Sequence, residues 1–249
     1  MNIVYLIGNG FDLNLKLKTS YKDFYKWYGN QPIADDDVLS FIKFVDKKSL
    51  ADDRWSDMEY ALGQYTVEFK SEDCVEEATT FHDKLIEAVS TFIKAQESLL
   101  SVKDDTVTKF SGYLSFPDRD NRLLPAELRK IDEYRSNWSN TNWKVNIISF
   151  NYTSVIEKLI QYEGVSKRIG TAYNGKISIN LSDIEHIHGY VEDRLVLGVN
   201  DETQIANQSL HKTEAMDWYV KSKSNDTCGL EHEHKCKEWI NTASLICVF

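Results

Sequence analysis

The chain has 249 residues, of which 42% are hydrophobic and 12% aromatic, with three prolines. This composition excludes a disordered protein, and the length is sufficient for one large domain with a buried core. The formal net charge of -10 and the lack of a basic stripe argue against a nucleic-acid partner, since phosphate backbones are bound through clustered Lys and Arg.

The cysteines are widely spread and show no CxxC pair: Cys74, Cys228, Cys236 and Cys247. The N-terminal apolar run is too short for a signal peptide or a membrane span. We therefore predict a cytoplasmic protein with reduced thiols and no membrane association.

The first predicted element is a strand at Asn2–Ile7, NIVYLI, whose apolar, β-branched residues are typical of a strand buried on both faces. The turn Gly8-Asn9-Gly10 follows it and lets backbone N–H groups approach a pyrophosphate. The turn matches neither GxGxxG, because Leu13 stands at the third glycine position, nor a Walker loop. A tight turn without a ligand is the alternative.

Helices are predicted next. Thr19 or Ser20 is expected to cap a helix through SYKDFYKWY. From about residue 35 to 135 the pattern changes to long amphipathic helices, clearest in CVEEATTFHDKLIEAVSTFIKAQESLL, and we interpret this stretch as a helical insertion. Within it, Asp57 and Glu59 either reach a functional site or cap and solvate a helix.

After Trp143 strand signals alternate with helical ones such as NYTSVIEKLIQY, which predicts a mostly parallel, doubly wound α/β sheet in a single domain over residues 1–249. The predicted strands are KVNIISF, KISINL, EHIHGY, RLVLGV and ASLICVF.

Asn151 follows the strand VNIISF directly, within the segment SFNYT. Ligands of open α/β sheets bind at the carboxyl ends of strands, so Asn151 occupies the position of a functional residue. The alternative is an Asx-type cap of the helix that follows.

The segment EHIHGY carries two histidines, which strand alternation would place on one face, with Gly189 opening space beside His188. Two histidines alone lack the further ligands that zinc requires. His188 suits a general base, since the histidine pKa lies near neutrality, whereas His186 is interpreted as a satisfied core residue.

A second metal hypothesis concerns Cys228, His232 and Cys236, which would share one face of a helix. Their spacing matches no zinc pattern, so we interpret the arrangement as coincidence and expect no metal.

Five short motifs occur in a fixed order: IGNGFD, TSYKDF, WSDME, SFNYT and HIHG. Together they resemble the AbiH family of bacteriophage abortive-infection proteins over essentially the whole chain. That family is in turn similar to the sirtuin-type NAD-binding fold, in which a GAG turn holds the cofactor phosphates, a TQNID segment places an Asn by the nicotinamide ribose, and an HG pair supplies the catalytic His. The resemblance therefore implies a Rossmann-like, sirtuin-like fold.

By this resemblance, Asn151 and His188 are the expected catalytic residues. Thr153 stands where TQNID has its Asp, which is a departure from an identical nicotinamide pocket. The residues expected to bind NAD are Gly8, Asn9, Gly10, Phe11, Asp12, Tyr152, Thr153 and Gly189.

No pair of CxxC motifs follows His188, so the zinc module of the protein-deacylating sirtuins is absent from the sequence. The resemblance then implies a phage-defence enzyme that binds NAD and hydrolyses it to ADP-ribose and nicotinamide. The alternatives are a non-catalytic module that senses NAD or ADP-ribose and acts through a partner or oligomer, and a protein whose main role is oligomerisation.

The sequence ends at the apolar segment SLICVF, whereas proteins of both families continue past such a strand with a Gly-x-Ser-type turn and further helix. We expect either a C-terminally truncated product or a last strand that closes the sheet.

Overall fold

The computed structural model describes residues 1–32, 34–50, 57–118, 123–227 and 232–249. These residues divide into two units. We call the first the sheet unit (Met1–Phe11, Leu100–Ile187 and His232–Phe249) and the second the helical unit (Asp12–Leu99 and His188–Glu231). The boundary at Leu99 falls inside the stretch predicted as one helical insertion. The single-domain assignment stays a prediction.

The sheet unit contains a mixed sheet with the strand order β3-β4-β2-β1-β5. Strands β4, β2, β1 and β5 run parallel, and β3 runs antiparallel to β4. The strands are β1 (Asn2–Ile7), β2 (Trp143–Ser149), β3 (Lys167–Ala172), β4 (Ile177–His186) and β5 (Leu245–Val248). The predicted α/β class with a mostly parallel sheet is confirmed; the Rossmann-like, sirtuin-like assignment stays a prediction.

The helices of the described residues follow in chain order. They are α1 (Gly10–Asn14), α2 (Tyr21–Tyr28), α3 (Asp36–Ser49), α4 (Met58–Tyr65), α5 (Cys74–Glu97), α6 (Asp104–Ser115), α7 (Pro125–Ser136), α8 (Val155–Ile160), α9 (Met216–Tyr219), α10 (Lys221–Thr227) and α11 (His232–Thr242). Short 3-10 turns occupy Thr66–Glu68, Glu202–Gln204 and Gln208–Leu210. Among the described residues, no helix has the length and apolar character that a membrane span needs.

Strand β1 has the bounds that its sequence predicts, and β2 and β5 agree with their predictions within two residues. KISINL and the start of EHIHGY form one strand, β4, which ends at His186. RLVLGV was predicted as a strand, and this is wrong. Its apolar side chains are buried, but Val199 makes only an isolated bridge to Val220. This apolar run is therefore buried without pairing in the sheet.

Buried polar contacts join helices to the sheet. Tyr5 of β1 is fully buried, and its hydroxyl donates to the backbone oxygens of Leu114 (2.9 Å) and Tyr113 (3.0 Å), near the end of α6. These carbonyls belong to the last turn of a helix, where intrahelical partners run out. The Tyr5 hydroxyl thus satisfies them while its ring fills the core.

Helix α11 lies against the same sheet. Its Cys236 packs with Val4 and Ile148. Lys235 forms an ion pair with Asp183 (2.8 Å) and a second with Glu185 of β4. The helix is therefore held by apolar contact on one side and by charge on the other.

In the helical unit, α2 and α5 meet through aromatic rings. Ser20 caps α2 as predicted, since its hydroxyl oxygen accepts from the Asp23 backbone N–H (3.2 Å). Phe24 of α2 lies 5.6 Å from Phe92 of α5, centroid to centroid, in an edge-to-face arrangement. Helix α5 itself covers most of the predicted amphipathic segment.

Asp57 and Glu59 have structural roles. Asp57 caps α4 by accepting from the Glu59 backbone N–H (3.0 Å). The Glu59 carboxylate accepts from the Tyr21 hydroxyl (3.1 Å) and forms an ion pair with the buried Lys221 (2.6 Å). The capping alternative is confirmed for Asp57. Glu59 instead connects α2 and α10.

Close backbone packing in the helical unit makes Gly63 a sharp test of the fold. A Cβ at Gly63 would lie 2.5 Å from the Gln204 carbonyl oxygen and 2.8 Å from a Val199 methyl carbon. We expect Gly63→Ala to lower the free energy of unfolding by about 1–3 kcal/mol, because overpacking forces the backbone to shift.

The matched control is Gly112→Ala in α6, where a Cβ would meet nothing within 4 Å. Since alanine favours a helix over glycine, this variant should gain about 0.5–1 kcal/mol in urea denaturation. Equal effects of the two substitutions would contradict the packing described.

Candidate functional site

Three parallel strands of the sheet unit end level with one another. Ile7 of β1 is in register with Ser149 of β2, which is in register with His186 of β4. The ladder continues one residue further, because Phe150 donates to the Ile7 carbonyl (2.9 Å) and Ile187 to the Ser149 carbonyl (3.1 Å). The residues after β1, β2 and β4 therefore emerge at one edge, where open α/β sheets bind ligands.

Asn151 lies at this edge and is 5% exposed. Its backbone N–H donates to the Ser149 hydroxyl oxygen (3.2 Å), and its backbone carbonyl accepts from His186 Nδ1 (3.0 Å). Among the described residues, neither atom of its side-chain amide has a hydrogen-bond partner. Leaving a buried polar group unsatisfied costs about 1–3 kcal/mol.

The capping alternative for Asn151 is wrong. Helix α8 begins at Val155, its N-cap is Ser154, and no side chain makes a capping hydrogen bond there. The Asn151 amide is thus neither a helix cap nor a satisfied core group. A buried amide kept at such a cost at the carboxyl edge of a sheet is typical of a functional site.

A buried charged pair fixes the backbone of Asn151. His186 Nδ1 donates to the Asn151 carbonyl, and Nε2 donates to Glu157 Oε1 of α8 (2.7 Å). Both partners are acceptors, so the ring satisfies both only as an imidazolium. Burial lowers the pKa of His186, but the hydrogen bond and the charge of Glu157 outweigh burial, and the pKa is raised.

His186 is thus a satisfied core residue, as its sequence position indicates. Glu157, in contrast, was not singled out from the sequence. Its second oxygen, Oε2, is buried and has no partner within the described parts of the chain. The available signal was its place on the helix that follows Asn151, six residues further along, but any solvated helical glutamate has the same signal.

The glycine turn after β1 has space beside it. A Cβ at Gly8 would come no closer than 4.0 Å to the Phe249 carbonyl oxygen, and one at Gly10 would meet nothing within 4 Å. Neither glycine has a positive φ. The protein itself therefore does not require glycine at these positions, whereas close approach of a ligand to the backbone would.

Part of this turn is already hydrogen-bonded. The Gly8 N–H donates to the Phe249 carbonyl (3.4 Å), and the Phe11 N–H donates to the Gly8 carbonyl (3.0 Å). The Phe11 ring packs against Phe110 at 5.0 Å. Helix α1 has only five residues, so its dipole contributes little. Of the predicted phosphate donors, Gly8 and Phe11 thus have protein acceptors in this structure.

Of the other predicted site residues in the sheet unit, Tyr152 is half-buried and Thr153 is 1% exposed. Asp12, His188 and Gly189 belong to the helical unit. Asp12 is buried, and its backbone carbonyl accepts from Leu15 and Leu17 within the turn that ends α1.

His188 lies beyond the end of β4, so the prediction that His186 and His188 share a strand face is wrong. His188 is half-buried, and its backbone carbonyl accepts from Val196 (2.8 Å). Gly189 has φ +66°, and a Cβ there would lie 1.5 Å from the Arg194 carbonyl oxygen. The backbone alone requires glycine at this position.

The metal hypothesis concerned Cys228, His232 and Cys236. Cys228 lies outside the described residues, and the other two belong to α11. His232 Nδ1 is hydrogen-bonded to Glu185. Burial raises the pKa of the Cys236 thiol to about 12, which disfavours the thiolate that binds zinc. The part of the chain that the structure describes holds no group of three or more His, Cys, Asp or Glu suited to a metal ion.

The model of a family described as bacteriophage abortive infection AbiH matches residues 4–246. The chain belongs to the AbiH family. Membership of the AbiH family implies a role in abortive infection of phage-infected cells. No curated protein and no solved structure matches the chain.

The unsatisfied amide of Asn151 makes a prediction about stability. We expect Asn151→Ala to unfold with a free energy no lower than that of the wild type, and up to about 2 kcal/mol higher, because it removes a buried polar group that has no partner. Urea denaturation measures this.

Asn207→Ala is the control, since the Asn207 amide donates to the carbonyls of Thr66 (3.1 Å) and Phe69 (3.0 Å). It should lose about 1–3 kcal/mol. Losses of equal size in both variants would contradict an unsatisfied Asn151.

The raised pKa of His186 makes stability depend on pH. Its contribution is fully present below the unfolded pKa of about 6.5 and is lost as the pH rises through the folded pKa. Glu157→Gln should therefore destabilise the protein most near pH 5.5, and the difference from wild type should shrink towards pH 8.5.

The exposed Glu163→Gln, just beyond α8, is the control and should show no such trend. A stability loss in Glu157→Gln that stays constant across this pH range would mean that His186 is not held as an imidazolium.

Proposed function

We propose that this AbiH-family protein binds NAD at the carboxyl edge of the sheet unit and hydrolyses it to ADP-ribose and nicotinamide. The observation that carries the proposal is the buried side-chain amide of Asn151, which lacks a hydrogen-bond partner among the described residues. An amide offers one acceptor and two donors, which suits the hydroxyl groups of a ribose and an attacking water.

The glycine turn supports the phosphate end of the ligand. Gly8 and Gly10 have room beside their Cα atoms and no backbone conformation that demands glycine. Absence of side chains at these two positions lets a pyrophosphate approach the main chain closely. Gly10, where an added Cβ would meet nothing within 4 Å, is the part of the turn that we assign to the phosphates.

Glu157 extends the ribose side of the proposed site. Its Oε1 is engaged by His186, and its buried Oε2 is an acceptor without a partner among the described residues. A carboxylate oxygen accepts well from a ribose hydroxyl. Because His186 balances its charge, Glu157 can offer this oxygen without bringing an uncompensated negative charge to the edge.

The proposed reaction adds water to the anomeric carbon of the nicotinamide ribose. The carbon–nitrogen bond breaks, its electron pair stays with nicotinamide as the neutral leaving group, and the proton of the attacking water passes to a base. Asn151 orients the water and the sugar. For the base we retain His188 from the HIHG motif of the sequence, since a neutral imidazole accepts a proton near pH 7.

Hydrolysis of NAD fits the family role in abortive infection. Loss of NAD in an infected cell stops the metabolism on which phage replication depends.

A specific observation favours one alternative, a non-catalytic sensor of NAD or ADP-ribose. Thr153, 1% exposed, stands where the sirtuin-type motif has an aspartate. A bound ligand therefore has no carboxylate to contact at this position.

Release of nicotinamide from NAD by the purified chain tests the proposal. We expect Asn151→Ala and His188→Ala each to lower kcat by about 100-fold or more, because positioning and proton transfer each contribute effects of that order. The exposed residues Asn30 and His234 supply the matched controls Asn30→Ala and His234→Ala, which should retain full activity.

Full activity in both Asn151→Ala and His188→Ala would refute the assigned site. Absence of turnover combined with ADP-ribose binding that Asn151→Ala abolishes would establish the sensor instead. Absence of binding and of turnover in the wild type would refute both functions.

A further inference from the structure

The sheet unit has a cavity at the opposite edge of its sheet from Asn151. It lies where β2 begins and β3 ends, and it has a volume of about 760 Å³. Cavities of roughly 300–1,000 Å³ hold small-molecule ligands. Trp143 lines the cavity at the first residue of β2 and Asn151 lies two residues past its last, so the two are roughly 25 Å apart along the strand. The cavity is therefore separate from the proposed NAD site.

The floor of the cavity contains a buried arginine. Arg135 of α7 is 5% exposed, and its two terminal nitrogens both bond Asp118, with Nη1 at 2.9 Å from Oδ2. Phe116 and Trp143 lie against the guanidinium, 5.4 and 5.9 Å from Cζ to their ring centroids. This pairing occupies the two terminal nitrogens of the guanidinium, and the Nε–H group takes no part in it.

The Nε atom of Arg135 is buried and has no hydrogen-bond partner among the described residues. A buried N–H without an acceptor carries a cost that a bound acceptor would remove. The carboxylate of Asp132 lies nearby, 3.6 Å from Arg135 Nη1, and its side chain is 75% exposed. The residues that line the cavity thus include an unsatisfied buried donor, Arg135 Nε, and an exposed acceptor, Asp132.

Aromatic rings line the cavity. Trp143, 1% exposed, is in the floor, and Tyr173, 38% exposed, stands at the mouth. Their centroids are 6.2 Å apart, and their planes make an angle of 87°. The two rings already pack edge to face against each other, so a flat ligand ring stacks on the exposed face of Tyr173 rather than between them.

The charges of the cavity disfavour an anion. Asp118 neutralises Arg135, and Asp132 adds a negative charge at the rim. Phosphate or carboxylate ligands would meet net repulsion, in a chain whose own net charge is -10. A flat nitrogen heterocycle instead donates an N–H to the exposed carboxylate of Asp132 while its ring stacks on Tyr173.

We propose that this cavity binds an uncharged, flat nitrogen heterocycle, such as the base of a free nucleoside. The cavity shares no residue with the proposed NAD site. An experiment can therefore refute either proposal without affecting the other.

The test is isothermal titration with adenosine, guanosine, cytidine and uridine, using the intact chain. At least one nucleoside should bind. Tyr173→Asn should weaken its binding roughly tenfold, since stacking on an aromatic ring contributes an effect of that order. Asparagine tolerates the positive φ of 50° at this position, so the turn is kept. Asp132→Asn should weaken binding about fivefold.

Glu133→Gln, the adjacent exposed residue of α7, should leave the affinity unchanged, and so should Asn151→Ala at the other edge. Adenosine monophosphate should bind no more tightly than adenosine. Failure of all four nucleosides to bind would overturn the proposal. So would an affinity that Tyr173→Asn and Asp132→Asn leave intact, or one that Asn151→Ala abolishes.

Discussion

The buried pair of His186 and Glu157 is the interaction on which the candidate site depends. It joins the end of β4 to α8 and, through the second ring nitrogen of His186, holds the backbone carbonyl of Asn151. A buried ion pair contributes little net stability, because desolvation offsets the attraction, and apolar replacements of similar volume are often as stable. Its value here is geometric. Both ring nitrogens of the imidazolium donate, one to Glu157 and one to the Asn151 carbonyl. The backbone of Asn151 is therefore held in one place relative to the three strand ends.

The same edge has features that lower the stability of the folded protein. Glycines occupy two positions at which the protein has room for a side chain, and the Asn151 amide is buried without a partner among the described residues. Each is unfavourable for folding, and each suits contact with a ligand. Gly63 and Gly189 are different, because neighbouring backbone atoms leave no space for a Cβ there. Comparing the surroundings of glycines thus separates those that serve packing from those that a ligand would explain.

Sequence patterns predicted the elements whose signal is local. The apolar run Asn2–Ile7 and the Ser20 cap of α2 needed no knowledge of distant contacts. RLVLGV failed because an apolar run indicates burial rather than sheet pairing, and β3 was missed because KRIGTA has charged residues and a glycine. The rule that ligands bind at strand ends identified Asn151. The roles of Glu157 and Arg135 could not be predicted, because each depends on a partner brought close only by folding.

The central claim is that the Asn151 amide at the carboxyl edge contacts a nucleotide. The most direct measurement is the side-chain amide resonance of Asn151 in nitrogen–proton correlation spectra, assigned by its disappearance in Asn151→Ala and followed as NAD is added. The account predicts that this resonance shifts in a saturable manner, while the side-chain amide resonance of Asn142, which lies just before the start of β2 and accepts from the Ser178 N–H, stays in place. An Asn151 resonance that does not move at saturating NAD would contradict the account.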